Sequence, residues 1–137
     1  TGAAVLATQS CLRSGCGLTT IHCPASSLNI IQTAAPEAMV SVDKNENCIS
    51  EIPDLNQFSA IAFGSGCSQN KATASALKFL IQETKVPLVI DADGLNILSG
   101  KKTWLAILPK NTILTPHPKE FSHLLFLHLK NICVCRL

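Results

Sequence analysis

Short apolar runs alternate along the whole chain with segments of helical periodicity. The runs that read as strands are Leu18–Cys23, Ala38–Val42, Ala60–Phe63, Pro87–Asp91 and Ile113–Thr115. The segments that read as helices are Thr1–Arg13, Ala25–Ala34, Gln69–Thr84, Asp93–Ser99 and Pro118–Leu127. Several strands are short and continuously apolar, which is typical of a parallel sheet buried between helices. The pattern therefore predicts an α/β domain with a mostly parallel sheet and helices on both faces.

The segment Gln69–Thr84 gives the clearest helical pattern. Leu77, Leu80 and Ile81 share one face, and lysines occupy a different one. The polar stretch Asp43–Gln57 interrupts the alternation, and we interpret it as a surface excursion within the domain.

Composition narrows the class of protein. The chain has 137 residues, of which 47% are hydrophobic and 15% charged, and its net charge is +2. This favours one globular domain and gives no reason to expect a nucleic acid or membrane partner. Seven cysteines without a C-x-x-C pair argue against a disulfide framework, so we expect a reducing, cytoplasmic location. No apolar run is long enough to span a bilayer.

Three loops leave the carboxyl ends of predicted strands, where open α/β sheets bind their ligands. Gly64-Ser65-Gly66 lets the backbone approach a ligand closely, although a plain structural turn is the better interpretation of two glycines at this spacing. Asp91 ends a buried strand and needs a partner, and a metal ion, a ribose or a hydroxyl would serve. The alternative is that Asp91 caps the next helix. For Asp93 we favour the N-cap.

The third loop holds His117 between two prolines, and these restrict the backbone on both sides. Such rigidity suits a side chain that must point at a ligand, and a structural histidine is the alternative. Cys133-x-Cys135 with His128 has poor spacing for zinc, so we predict no metal site there. The three loops together predict Gly64, Asp91 and His117 at one edge of the sheet.

Six segments occur in an order and spacing that resemble a known family: TGAAVLA, LRSGCGLTT, PEAMV, FGSGCS, PLVIDADGLNIL and ILTPHPKEF. Over about residues 1–125 the chain resembles the NAD(P)H-hydrate dehydratase domain. The resemblance implies a three-layer ribokinase-like fold. It also implies dehydration of hydrated NADH or NADPH (NADHX or NADPHX) at the expense of ADP or ATP, with Mg²⁺. By position, Ala3, Gly66 and His117 match residues that line the family's NAD(P)HX site, and Gly64 belongs to the same loop. Further candidates are Asp91, Asn96 and Glu120.

The chain departs from the family after Phe121. The resemblance implies a later Gly-Thr-Gly-Asp segment, whose amides form an anion hole and whose aspartate is the catalytic base. No glycine follows Gly100, so no catalytic residue is assigned. We therefore expect residues 1–137 to be a truncated, inactive part of the domain, with 122–137 as a divergent tail.

Other readings stay open at this point. One is a ribokinase-like kinase of a small alcohol or vitamin precursor, and another is a non-catalytic fragment that only binds nucleotide. The segment LTPHPKEF favours the dehydratase. An upstream epimerase domain and homo-oligomers are further expectations, the latter because a truncated sheet has an open edge.

Overall fold

A computed structural model of the chain describes residues 1–125 and the short strand at 133–134. The helices are α1 (Gly2–Arg13), α2 (Leu28–Ala34), α3 (Lys71–Glu83), α4 (Ala92–Ser99) and α5 (Pro118–Leu125), with 3₁₀ helices at Ala25–Ser27 and Lys102–Ile107. The strands are β1 (Thr20–Cys23), β2 (Met39–Val42), β3 (Ile61–Phe63), β4 (Leu88–Ile90), β5 (Ile113–Leu114) and β6 (Cys133–Val134). Every strand pair is parallel, which confirms the predicted α/β class.

The strands form two hydrogen-bonded sheets where the sequence predicted one. β1 pairs with β2, and the other four strands pair in the order β3-β4-β5-β6. The predicted strands are also longer than the observed ones, by one or two residues at one or both ends. Leu18, for example, is 84% exposed and precedes β1, because an apolar side chain alone does not place a residue in a ladder.

Two further elements were not predicted. The 3₁₀ helix Lys102–Ile107 packs Trp104 and Leu105 against the core, but the segment is too short to show a clear period. Strand β6 falls in the stretch interpreted as a divergent tail and pairs with β5. His128 and Cys135 lie outside the described residues.

The core lies between the four-stranded sheet and helices α3, α4 and α5. Its fully buried side chains are Leu77, Leu80, Leu88, Ile90, Leu95, Leu98, Leu114 and Leu124. Burial of each such side chain contributes about 1.5–3 kcal/mol, so this cluster fixes β4 and β5 against the helices. At the start of α3 the Asn70 side chain accepts a hydrogen bond from the Thr73 N–H at 2.9 Å, which caps the helix.

The register of the sheet brings three loops to one edge. Phe63 at the end of β3 pairs with Ile90, and Ile90 pairs with Leu114. The segments that begin at Gly64, Asp91 and Thr115 therefore leave neighbouring parallel strands at the same end, and His117 follows two residues after Thr115. This arrangement confirms the predicted edge.

The polar excursion after β2 is anchored by one buried carboxylate. Asp43 accepts hydrogen bonds from the N–H groups of Asn45 at 2.7 Å, Ser50 at 2.7 Å and Glu51 at 3.1 Å, and from the Ser50 hydroxyl at 2.6 Å. Nε2 of His22 lies 3.1 Å from its Oδ2. Burial alone would raise the pKa of Asp43, but the Ser50 hydroxyl and the three N–H groups together hold this pKa well below its usual range. The segment is thus only partly a surface excursion.

Candidate functional site

The loop after β3 and the start of α4 pack backbone against backbone. A Cβ at Gly64 would lie 1.9 Å from the Asp91 carbonyl oxygen, and the φ of Gly64 is +125°. The Asp91 N–H donates to the Phe63 carbonyl at 3.0 Å, and the Asp93 N–H donates to the Gly64 carbonyl at 3.2 Å. Only glycine fits position 64, because both the backbone angle and the contact exclude a side chain.

Asp91 and Thr115 connect the ends of β4 and β5. The Thr115 hydroxyl donates a hydrogen bond to Asp91 Oδ1 at 2.7 Å. Asp91 occupies the N-cap position of α4 but makes no side-chain cap. The N-cap alternative for Asp91 is therefore not observed. Its partner is a hydroxyl, one of the groups predicted from the sequence, and Thr115 supplies it.

The Asp93 side chain connects α4 to the loop that follows β3. It lies in the first turn of α4 rather than at the N-cap, so the predicted capping role is wrong. Its carboxylate accepts from the Ser68 N–H at 2.9 Å and from Nε2 of Gln69 at 3.0 Å. Because α4 begins at Ala92, one residue earlier than predicted, position 93 lies inside the helix and Asp91 occupies the N-cap position.

A pocket of about 310 Å³ lies where α1 meets these two loops. Its lining residues are Ala3, Leu6, Ala7 and Ser10 from α1, with Ser65, Asp91 and Ala92 from the loops. Ala92 has a φ of +45°, which is uncommon for a residue with a side chain and typical of functional sites. A Cβ at Gly66 would lie 3.3 Å from Cβ of Ala3, so the loop approaches α1 closely.

His117 and Glu120 form a reciprocal cap at the start of α5. His117 Nδ1 accepts from the N–H groups of Lys119 at 3.1 Å and Glu120 at 3.4 Å. Glu120 Oε2 accepts in return from the His117 N–H at 3.0 Å, and Oε1 lies 3.3 Å from His117 Nε2. This is the geometry of a capping box, with histidine in the place of serine or threonine. The accepting Nδ1 assigns the proton of the neutral ring to Nε2.

The structure thus brings some predicted site residues together and leaves others apart. Ala3 and Asp91 line the pocket, while Gly64 and Gly66 shape the loop that carries Ser65. The remaining candidates, which are Asn96, His117 and Glu120, do not line it. The His117 side chain is 58% exposed, so it remains accessible at the same end of the sheet.

Sequence reasoning missed most of the α1 contribution to the pocket. Residues 3, 6, 7 and 10 recur at helical spacing and lie on one face. The small side chains Ala3, Ala7 and Ser10 on that face are the signal that could have identified it. Thr115 was also missed as a partner, because its role depends on the register of β5 beside β4.

The described residues do not fit a complete site for Mg²⁺. Across residues 1–125 no group of three or more His, Cys, Asp or Glu side chains could hold a metal ion. Asp91 Oδ1 is occupied by Thr115, and both oxygens of Asp93 accept hydrogen bonds. None of the helices within residues 1–125 has the length and apolar character of a transmembrane span.

Fold and site together define a class of protein. A parallel α/β sheet carries a glycine loop, a strand-end carboxylate and a pocket at its carboxyl edge, as in nucleotide-binding and small-molecule enzymes. The chain is similar to the crystal structure of a ribokinase-like superfamily protein from Enterococcus faecalis, with 26% identity and a TM-score of 0.73 over 90% of this chain and 43% of that one. The fold is ribokinase-like.

A family model described as NAD(P)H-hydrate dehydratase matches residues 1–133, and the chain belongs to that family. It is 35% identical to the bifunctional NAD(P)H-hydrate repair enzyme Nnr of Gloeobacter violaceus, over 90% of this chain and 25% of the relative. It is 28% identical to the ADP/ATP-dependent NAD(P)H-hydrate dehydratase of Bacillus subtilis, with a TM-score of 0.68 over 89% of this chain and 43% of that one. That relative was co-crystallised with ATP and Mg²⁺ and soaked with CoA. The chain thus spans between a quarter and a half of the length of these relatives.

Proposed function

We propose that the chain forms the substrate-side part of an ADP- or ATP-dependent NAD(P)H-hydrate dehydratase. The reaction is loss of water from the hydrated nicotinamide ring of NADHX or NADPHX, which restores NADH or NADPH. Family membership over residues 1–133 supports the reaction, and the pocket between α1 and the Gly64 loop supports the substrate role. Its volume of about 310 Å³ suits one portion of a dinucleotide rather than the whole.

In this proposal Asp91 is the polar anchor of the pocket. Thr115 holds Oδ1, so the carboxylate has a fixed orientation and its second oxygen can accept a hydrogen bond from a ligand hydroxyl or amide. Ser65 adds a hydroxyl opposite α1. The small side chains of Ala3 and Ala7 leave room for a flat ring to approach the helix.

The other predicted residues have more peripheral roles. His117 would contact the nucleotide from the rim of the site, since its ring is exposed while its Nδ1 caps α5. Glu120 supports His117 and is not proposed to touch the ligand. Gly64 and Gly66 would let the loop follow the bound molecule closely, and Asn96 is proposed as an outer contact on α4.

We propose that the 137 residues bind the hydrated nucleotide but do not turn it over. The sequence holds no Gly-Thr-Gly-Asp segment to supply preorganised donors for developing negative charge. The resemblance to the family places neither Asp91 nor Glu120 at the reacting phosphate, so neither is proposed to replace the catalytic base. ADP, ATP and Mg²⁺ would need groups beyond those described.

Turnover is tested by incubating the purified chain with NADHX, Mg²⁺ and either ADP or ATP, while the absorbance of the restored dihydronicotinamide is followed. The expected result is no nucleotide-dependent rise. A full-length relative in the same buffer serves as the positive control. Nucleotide-dependent conversion by the chain would contradict the proposal that it is incomplete for catalysis.

Location and partners complete the proposal. The five cysteines described up to residue 67 are all free thiols, and this supports the expected cytoplasmic location. Some relatives are named bifunctional, which supports an epimerase domain in the same polypeptide as a prediction. A homo-oligomeric state is a separate prediction.

A further inference from the structure

Two cysteines of the described chain lie in direct contact away from the pocket. Cys11 is in the last turn of α1, and Cys16 follows the turn that ends this helix. Their Sγ atoms are 3.3 Å apart. Cys16 is exposed and Cys11 is half-buried, so a solvent molecule or small reagent can reach the pair.

The turn that brings the two thiols together is set by the sequence. Ser14 ends α1, and its N–H donates to the Ser10 carbonyl at 3.0 Å. Gly15 has a φ of +92°, a left-handed conformation that folds the chain back over the helix end. Its N–H donates to the Leu12 carbonyl at 3.2 Å, which fixes the reversal. Cys16 is therefore held beside Cys11 by backbone hydrogen bonds.

Hydroxyl groups surround the pair. Thr19 Oγ1 donates to Cys11 Sγ at 3.6 Å, and Ser14 Oγ lies 3.8 Å from Cys16 Sγ. Thr19 lowers the pKa of Cys11, but the neighbouring Cys16 and burial outweigh this effect, so the net pKa of Cys11 is raised. Cys11 consequently keeps its proton at pH values where a reactive thiol would have lost it.

The other described cysteines contrast with this pair. Cys23 and Cys48 are buried. Burial and the charge of Asp93 raise the pKa of Cys67 to about 12, which leaves its thiol protonated and unreactive.

We propose that Cys11 and Cys16 are a redox-active dithiol, which forms an intramolecular disulfide by exchange with a low-molecular-weight disulfide. The exposed Cys16 thiolate attacks the small disulfide, forms a mixed disulfide and releases one small thiolate. The Cys11 thiol then loses its proton to solvent, and its sulfur attacks Cys16 Sγ and releases the second thiolate. Two protein thiols are oxidised and one small disulfide is reduced to two thiols.

Formation of this bond would require little movement, since the sulfur atoms already touch. It would link the end of α1 covalently to the turn before β1. The preceding residue on α1, Ser10, lines the pocket, so the modification lies at the end of the helix that shapes the candidate site.

The test uses the full chain and oxidised glutathione under native conditions, followed by alkylation of free thiols, trypsin digestion and mass spectrometry. Arg13 lies between the two cysteines, so cleavage there separates Thr1–Arg13 from Ser14–Lys44 unless a disulfide joins them. The expected product is this linked pair of peptides. Fragmentation of the pair should place the bond on Cys16 and not on Cys23, which lies in the same peptide.

Two variants and an unfolded control test whether the bond forms specifically between Cys11 and Cys16 in the folded protein. Cys11→Ser should stop at a stable mixed disulfide on Cys16, whereas Cys23→Ala should leave the linked pair unchanged. The ratio of linked pair to mixed disulfide should be roughly tenfold higher in native protein than in concentrated urea, because the fold pre-positions the thiols. A bond between Cys11 and Cys23, separate mixed disulfides without a link, or an equal ratio in urea would each overturn the proposal.

Discussion

The Thr115 hydroxyl donates a hydrogen bond of 2.7 Å to Asp91 Oδ1 and thereby joins the ends of two neighbouring parallel strands. Asp91 also lines the pocket, so one contact couples the geometry of the sheet edge to the orientation of the proposed anchor. This relationship makes Thr115 a positioning residue for the candidate site.

Thr115→Val should weaken binding of the hydrated nucleotide, because it removes the donor that orients Asp91. Hydrogen bonds to charged groups contribute about 1.5–3 kcal/mol, and partial exposure of Asp91 reduces this to about 1 kcal/mol or roughly fivefold in Kd. Isothermal titration calorimetry with NADPHX measures the Kd of the wild type and of each variant. Thr33→Val is the matched control, since the Thr33 hydroxyl donates to the Asn29 carbonyl within its own helix, α2. Equal affinities for the two variants would show that Thr115 does not act through Asp91.

His117 combines a helix cap with a proposed binding role, and two substitutions separate these functions. His117→Ala should lower the free energy of unfolding by about 1 kcal/mol through loss of the cap. His117→Asn should keep the cap, because asparagine is a preferred N-cap residue, yet still weaken nucleotide binding about 5- to 150-fold. Urea unfolding and titration are measured on both variants. Wild-type affinity in His117→Asn would leave His117 with its structural role alone.

The sequence predicted the elements better than it predicted the contacts of the site. Apolar runs located β3, β4 and β5, and parallel topology then placed Gly64, Asp91 and His117 at one edge. Pairing of Asp91 with Thr115 could not be predicted, because it depends on the register between two strands. The cap formed by His117 was also missed, since histidine is not among the usual N-cap residues.

Gly64→Ala should destabilise the fold by more than about 2 kcal/mol. The new Cβ would overlap the Asp91 carbonyl oxygen, at 1.9 Å, and a φ of +125° is strained for alanine. Gly2→Ala is the control, because a Cβ there meets nothing within 4 Å. Chemical unfolding of both variants tests the difference. Similar stabilities would mean that the loop and the Asp91 turn are farther apart than described.

Asp43 should make the stability of the fold depend on acid pH. Its pKa is depressed in the folded state, so its contribution is complete above its ordinary pKa of 3.8 and is lost as the pH falls below that value toward the folded pKa. Asp43→Asn should cost about 2–4 kcal/mol at pH 7, and the deficit should shrink below pH 4. Thermal unfolding between pH 7 and pH 2 measures how the stability of the wild type and of Asp43→Asn changes with pH. A deficit that stays constant with pH would contradict the hydrogen-bonded carboxylate.

The central claim is that this chain holds a hydrated nicotinamide nucleotide in the pocket between α1 and the Gly64 loop. Its most direct test is calorimetric titration of the chain with NADPHX, beside the variant Ala7→Trp, which fills the pocket from α1. The account predicts saturable binding at one site per chain and its loss in Ala7→Trp, with the variant still folded by circular dichroism. Absence of binding by the wild-type chain, or equal binding by the filled variant, would contradict it.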